Sequence, residues 1–221
     1  MSASPNFDGR SASTPIDMLV LHYTGMESVE AALDRLCDPT AKVSAHYIID
    51  EDGAVAPLVD EHSRAWHAGE ALWRGETDIN ARSIGIELVN PGHEFGYRDF
   101  PDIQIAALMD RALDILDRHP IPPRNVVGHS DVAPRRKSDP GERFDWAGLA
   151  AAGIGLWPDA DNSDGDPADV TAMLSDYGYD VTAPALTITA FQRHFRPETV
   201  DGIADRETIA RLKRLLELRN A

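Results

Sequence analysis

The apolar positions in the first two thirds of the chain form short runs separated by longer stretches of helical spacing. Asp17-Met-Leu-Val-Leu-His22 predicts a short buried strand, and Val29 to Leu36 has the spacing of a helix that stops before Pro39. His46-Tyr-Ile-Ile-Asp50 and Ala54 to Val59 flank Asp52-Gly53, a dipeptide suited to a tight hairpin turn. Ser83-Ile-Gly-Ile-Glu-Leu-Val89 predicts another strand, and Asn125-Val-Val-Gly-His129 a further one. Between them, Ile103, Ala106, Ala107, Met109, Leu113 and Leu116 outline the apolar face of a long helix ending near His119-Pro120. Alternation of this kind predicts an α/β fold, a mixed central β-sheet flanked by helices.

The last quarter of the chain changes character. Pro167 to Tyr177, Thr187 to Phe195 and Asp205 to Leu218 read as three helices, with Asp205 an N-cap and Arg211, Lys213, Arg214 and Arg219 complementing the dipole of the last one. Residues 170–221 are net neutral, so residues 1–169 carry the whole net charge of −16. Between the two parts, Asp159 to Asp169 holds five Asp and no apolar side chain larger than Pro, the composition of a solvated linker. The expected division is therefore 1–158, an acidic linker 159–169, and a small three-helix domain 170–221.

Charge and cysteine content narrow the function classes. With 21 basic against 37 acidic residues, broad binding to nucleic acid or to an anionic membrane surface is disfavoured. No apolar stretch approaches the ~18–20 residues of a membrane span. A lone cysteine, Cys37, excludes an internal disulfide and a Cys-rich zinc knuckle. The polar start Met-Ser-Ala-Ser-Pro5 has no basic region followed by an apolar run, so a cytoplasmic protein is expected, or a periplasmic one if a leader has been removed.

Three predicted strands carry polar residues that a core strand would not choose. His22 and His129 close two of them, and Glu87 interrupts the apolar run of a third. Lys137 and Asp139 follow in a loop rich in Pro and charge. Two His and one carboxylate form a common catalytic zinc set with an open fourth position for water. Against this, a lone His at a strand end is more often a hydrogen-bonded structural residue, and a Glu in a strand commonly faces solvent. The helical His-Glu-x-x-His metalloprotease pattern is absent. Spacing alone leaves both readings open.

Val20-Leu-His-Tyr-Thr24, Val43-Ser-Ala-His-Tyr47, Ser83-Ile-Gly-Ile-Glu-Leu-Val-Asn90 and Val127-Gly-His-Ser-Asp-Val-Ala-Pro134 with Lys137-Ser-Asp-Pro-Gly141 together resemble the zinc N-acetylmuramoyl-L-alanine amidases, the family of phage T7 lysozyme and the peptidoglycan recognition proteins. The resemblance covers about residues 15–157. It implies zinc ligands at His22, His129 and Asp139, a catalytic acid/base at Glu87 and a transition-state stabiliser at Lys137. Arg64-Ala-Trp-His-Ala-Gly69, Trp73 and Asn80 are similar to the family's substrate groove, which makes Trp66, His67, Trp73 and Asn80 candidate substrate contacts; ordinary packing is the competing reading for the two tryptophans. Leu186 to Phe195 and Val200 to Thr208 resemble the three-helix peptidoglycan-binding domain, with Phe191 and Phe195 expected in its core.

The implied reaction is hydrolysis of the amide between N-acetylmuramic acid, in its 1,6-anhydro form or not, and L-alanine of the stem peptide, in peptidoglycan turnover or recycling. The expected partner is a muropeptide or the wall polymer, with no nucleic acid and no membrane span, and the sequence carries no signal for oligomeric state. Two other classes are a non-catalytic peptidoglycan-recognition module, disfavoured by the complete ligand set, and a cysteine hydrolase at Cys37, which has no His in a motif-like position.

Overall fold

The computed structural model describes residues 3–159 and 169–219. In chain order the elements are β1 (Phe7–Gly9), β2 (Met18–Tyr23), α1 (Val29–Cys37), β3 (Tyr47–Ile49), β4 (Val55–Pro57), β5 (Ser63–Ala65), α2 (Ile79–Arg82), β6 (Ser83–Leu88), α3 (Gly92–Phe95), α4 (Asp102–Arg118), β7 (Val126–Gly128), α5 (His129–Val132), α6 (Trp146–Ala151), α7 (Val170–Tyr177), α8 (Pro184–Phe195) and α9 (Arg206–Leu218). Five strands form one mixed sheet in the order β4-β3-β6-β2-β7. β3, β6, β2 and β7 run parallel, and β4 returns antiparallel from the predicted hairpin. β1 and β5 pair apart as a two-stranded antiparallel ribbon. The α/β class and the mixed sheet flanked by helices are as expected.

The central strands are covered on both faces, which is why they read as nearly continuous apolar runs. Alternate residues of β2 divide between two layers. Leu19 and Leu21 pack with Ile84, Ile86 and Val126 under α4 and α6, where Leu108, Ile115, Trp146 and Leu149 meet them. Met18 and Val20 point the other way, and on that face also lie Val127 and Trp73. The same face is covered by Leu174, Phe191, Phe195, Leu212 and Leu215 from the C-terminal helices, so the segments on either side of the acidic stretch share one apolar core. Phe191 and Phe195 sit in that core with ring centroids 5.2 Å apart.

Two helix predictions need adjustment. The long helix is present, but its buried stripe is Gln104, Leu108, Ala112 and Ile115, while Ile103 is 59 % and Leu113 44 % exposed. Gln104 turns inward because its Nε2 donates to the carbonyls of Ile49 and Val89, both at 3.0 Å, at the ends of two strands. The third C-terminal helix starts as predicted, with the Asp205 carboxylate accepting from the Thr208 N–H at 3.0 Å. The second begins at Pro184, three residues before its predicted start, as a proline at the first helical position allows. Residues 160–168 of the expected linker, and with them Pro167 at the expected start of the first C-terminal helix, lie outside the described residues. Among the described residues no helix is long and apolar enough to cross a membrane.

Candidate active site

Register brings the chemistry together. In the parallel pairing of β2 with β6, His22 lies opposite Glu87, so the two side chains leave the sheet on one face. Gly128 at the end of β7 pairs with Leu21, which places His129, the next residue, beside His22. The following loop folds back because the Ser130 N–H donates to the Asp139 carbonyl at 2.9 Å, and Asp139 reaches both histidines. The site thus sits at the carboxyl ends of parallel strands, where open α/β sheets gather ligands.

Nδ1 of His22 and Nδ1 of His129 are 2.9 Å apart, and each lies 3.0 Å from Oδ2 of Asp139. All three residues are buried. The surrounding hydrogen bonds fix where the imidazole protons are. The Ser83 hydroxyl donates to the Ile79 carbonyl (2.7 Å) and must therefore accept from Nε2 of His67 (3.1 Å). That leaves Nδ1 of His67 as an acceptor, and Nε2 of His22 donates to it at 3.1 Å. Nε2 of His129 faces the Ala68 carbonyl at 3.0 Å and must donate as well. Both rings, when neutral, turn Nδ1 lone pairs inward.

Burial and the neighbouring His129 push the His22 pKa down to about 4 against the pull of Asp139, so His22 is neutral at pH 7. Burial alone would raise the Asp139 carboxyl, but interaction with His129 and His22 outweighs it and holds the group well below the usual carboxylate range. Three acceptors at such distances repel one another unless a cation lies among them. The donor set therefore fits a metal ion, and among the described residues it is the cluster of His, Asp, Glu or Cys side chains able to hold one.

His67 is held close over β6 because residue 85 is glycine. A Cβ there would meet the His67 ring at 2.5 Å. Gly85→Ala is expected to displace His67, release the His22 ring from its proton acceptor and weaken metal binding about tenfold or more, as loss of a partner behind a ligand typically does. Competition with a chromophoric chelator measures this; unchanged affinity would show that His67 does not orient His22.

Glu87, Lys137, Trp66 and His67 line a cleft of about 450 Å³ that also takes in His129 and Asp139. Oε2 of Glu87 is buried and has no hydrogen-bond partner among the described residues. Burial and then the Asp139 charge push its carboxyl well above the usual range, with Lys137 acting in the opposite direction. A carboxyl group whose protonated form is favoured, with one buried oxygen lacking a hydrogen-bond partner among the described residues, thus belongs to the cleft lining beside the His-His-Asp triangle.

Two predicted substrate contacts lie elsewhere. Trp73 is 1 % exposed, edge-on to Tyr177 and Tyr179 at centroid distances of 5.9 and 5.0 Å, so it joins the sheet to the C-terminal helices and offers no face to a sugar. Asn80 is buried behind the cleft wall, its Oδ1 accepting from the backbone N–H groups of His67 (3.1 Å) and Ala68 (2.8 Å); it shapes the wall without lining it. His46 ties the sheet together, accepting from the Gly85 N–H at 2.9 Å. Cys37 at the end of α1 has its thiol pKa raised by burial and Asp34, the opposite of what a nucleophilic cysteine needs. His194, which has no local partner in the sequence, meets the buried carboxylate of Asp131, 63 positions away.

A five-stranded mixed sheet carries at its carboxyl edge a His-His-Asp triangle that could hold a metal ion, with a buried Glu alongside. The family model for N-acetylmuramoyl-L-alanine amidase matches residues 12–142, and the chain belongs to that family. Among curated proteins it is 41 % identical to the N-acetylmuramoyl-L-alanine amidase AmiD of Escherichia coli, over 94 % of this chain and 85 % of that one. It is 36 % identical to the 1,6-anhydro-N-acetylmuramyl-L-alanine amidase AmpD of the same organism, over 65 % of this chain and 86 % of that one. The solved structure of E. coli AmiD with anhydro-N-acetylmuramic acid-L-Ala-D-gamma-Glu-L-Lys superposes with a TM-score of 0.84 at 40 % identity, covering 94 % of this chain and 91 % of the other. AmpDh3 of Pseudomonas aeruginosa in complex with anhydromuramic pentapeptide gives a TM-score of 0.84 at 36 % identity, covering 99 % and 98 %.

Proposed function

We propose that the chain hydrolyses the amide joining N-acetylmuramic acid, including its 1,6-anhydro form, to the L-alanine of a stem peptide, with zinc as the metal held by His22, His129 and Asp139. The observation that carries this reading is the inward triangle of two imidazole lone pairs and one carboxylate oxygen, two nitrogens and one oxygen being a donor set suited to catalytic zinc. The relatives bound to anhydromuramic peptides support the substrate class.

A zinc ion at such a site acidifies water, polarises a carbonyl oxygen and favours the ionised form of a neighbouring carboxyl group. The chain's own residues supply the rest. Glu87 takes a proton from the attacking water and delivers it to the leaving nitrogen of L-alanine, so the C–N bond breaks with a neutral amine as product. Lys137 faces the same cleft and offers its ammonium to the negative charge that develops on the carbonyl oxygen. Trp66 on the cleft wall is the side chain placed to lie against the sugar. For the C-terminal helices we infer a structural contribution to the catalytic half, supported by the shared core.

The test is incubation of the zinc-loaded chain with an anhydromuramyl tripeptide and with intact wall polymer. Release of free peptide beginning with L-alanine, stopped by chelator and restored by zinc, is the expected result. No cleavage of either substrate by zinc-loaded protein overturns the reading. Cleavage of the soluble substrate alone supports a recycling role inside the cell, and cleavage of polymer supports a periplasmic one.

A further inference from the structure

Asp131 lies two residues after the ligand His129, in the short helix α5 that follows β7. Its side chain is wholly buried. Oδ2 accepts from the Gly128 N–H and from Nδ1–H of His194, both at 2.7 Å, and Oδ1 accepts from the Tyr179 hydroxyl at 2.7 Å. Of these three donors, two come from the C-terminal segment. The His194 ring is itself fixed, stacked 3.7 Å from Trp146 on one side and 3.7 Å from Phe195 on the other. Tyr179 is edge-on to the buried Trp73.

We propose that the C-terminal helices position the metal ligand His129 through this carboxylate, so that His194 and Tyr179 are positioning residues for the active site. The proposal rests on the reading of His129 as a metal ligand. The Asp131–Gly128 bond closes the turn out of β7, and Gly128 leaves little slack there, since a Cβ on it would meet Pro140 at 2.8 Å. A buried carboxylate deprived of a donor must find another or move toward solvent. Asp131 lies in the turn that starts with His129 and is bonded to the Gly128 N–H, so its displacement is passed to that turn. Metal–ligand distances tolerate only about 0.2 Å, so even a small shift of the His129 ring is felt as lost metal affinity. The helices would thereby act on catalysis without touching substrate.

The experiment uses the full chain and four variants. His194→Leu removes the donor and keeps bulk. His194→Asn retains an N–H near the position of Nδ1. Tyr179→Phe removes one hydroxyl. Phe191→Leu loosens the same core without contacting Asp131. Zinc affinity is measured by chelator competition, the stability of the metal-free chain by its urea midpoint, and kcat and KM on the soluble muropeptide. His194→Leu is expected to weaken zinc binding about tenfold, at the lower end of what losing a partner behind a ligand costs, and to lower kcat with little change in KM. His194→Asn should recover most of that loss, and Tyr179→Phe should weaken binding in the same direction. Phe191→Leu should lower the urea midpoint and keep the zinc affinity of the unsubstituted chain. Should His194→Leu fail to fold, Tyr179→Phe against Phe191→Leu decides the question. Unchanged zinc affinity in both His194→Leu and Tyr179→Phe, or loss of affinity in Phe191→Leu as large as theirs, overturns the positioning role alone. An unsubstituted chain that binds no zinc overturns the ligand assignment and the positioning role together.

Discussion

His22→Ala should yield a chain that folds but holds less than a tenth of the zinc of the unsubstituted protein and shows no measurable amidase activity. The triangle loses one of its two inward lone pairs, and the His67 Nδ1 loses the N–H that it accepts. A four-ligand zinc site is worth ~10–16 kcal/mol in all, which puts a single ligand at ~2.5–4 kcal/mol, roughly a hundredfold to a thousandfold in affinity. His129 and Asp139 alone do not hold zinc against ordinary competition at that level. Elemental analysis after exhaustive dialysis measures the metal, and hydrolysis of an anhydromuramyl tripeptide measures the activity. Stoichiometric zinc in the variant, or hydrolysis persisting in a metal-free chain, would exclude His22 as a ligand. The urea midpoint separates this from unfolding, because the ring is buried and its removal leaves a small cavity as well.

The strand-borne polar residues of the candidate site were legible in the sequence for a physical reason. A strand buried on both faces has no use for an ionisable side chain, so His22 at the end of one apolar run, His129 at the end of another and Glu87 inside a third stand out against their neighbours. Pairing then converts those positions into adjacency without any further signal. What stayed hidden depends on partners far away in the chain. Gln104 faces inward because two strand-end carbonyls need its amide, and a hydrophobic pattern cannot register that, which displaced the predicted face of the long helix by about one residue. Trp73 sits in a stretch that resembles a substrate groove, yet the tyrosines that bury it come about 100 positions later. The three-residue strands of the β1–β5 ribbon are too short to show alternation. His194 has no local partner; its meaning comes from the docking of the C-terminal helices onto the turn that holds Asp131.

Glu87→Gln separates proton transfer from metal binding, and its effects have opposite signs in catalysis and stability. Glutamine keeps the shape of the protonated side chain but cannot take a proton from water. Because Glu87 lies outside the ligand triangle, the variant is expected to bind one zinc per chain and to retain KM within a few fold. Turnover should fall by ~10²–10⁴, the range typical of a general acid–base group. In the metal-free chain the same change should stabilise the fold at neutral pH. The folded-state pKa of Glu87 is raised well above its ordinary value, chiefly by burial, so folding is opposed by the need to retain a proton that the unfolded chain has released. That opposition is absent below the unfolded pKa of about 4.3, grows as pH rises above it, and levels off past the folded pKa. Metal-free Glu87→Gln should therefore match the unsubstituted chain near pH 4 and exceed it increasingly toward pH 7, read as the difference in urea midpoint across that range. A variant with full zinc and near-normal turnover would remove Glu87 from the reaction, and a flat difference in midpoint across the pH range would show that its carboxyl is not held in the protonated form.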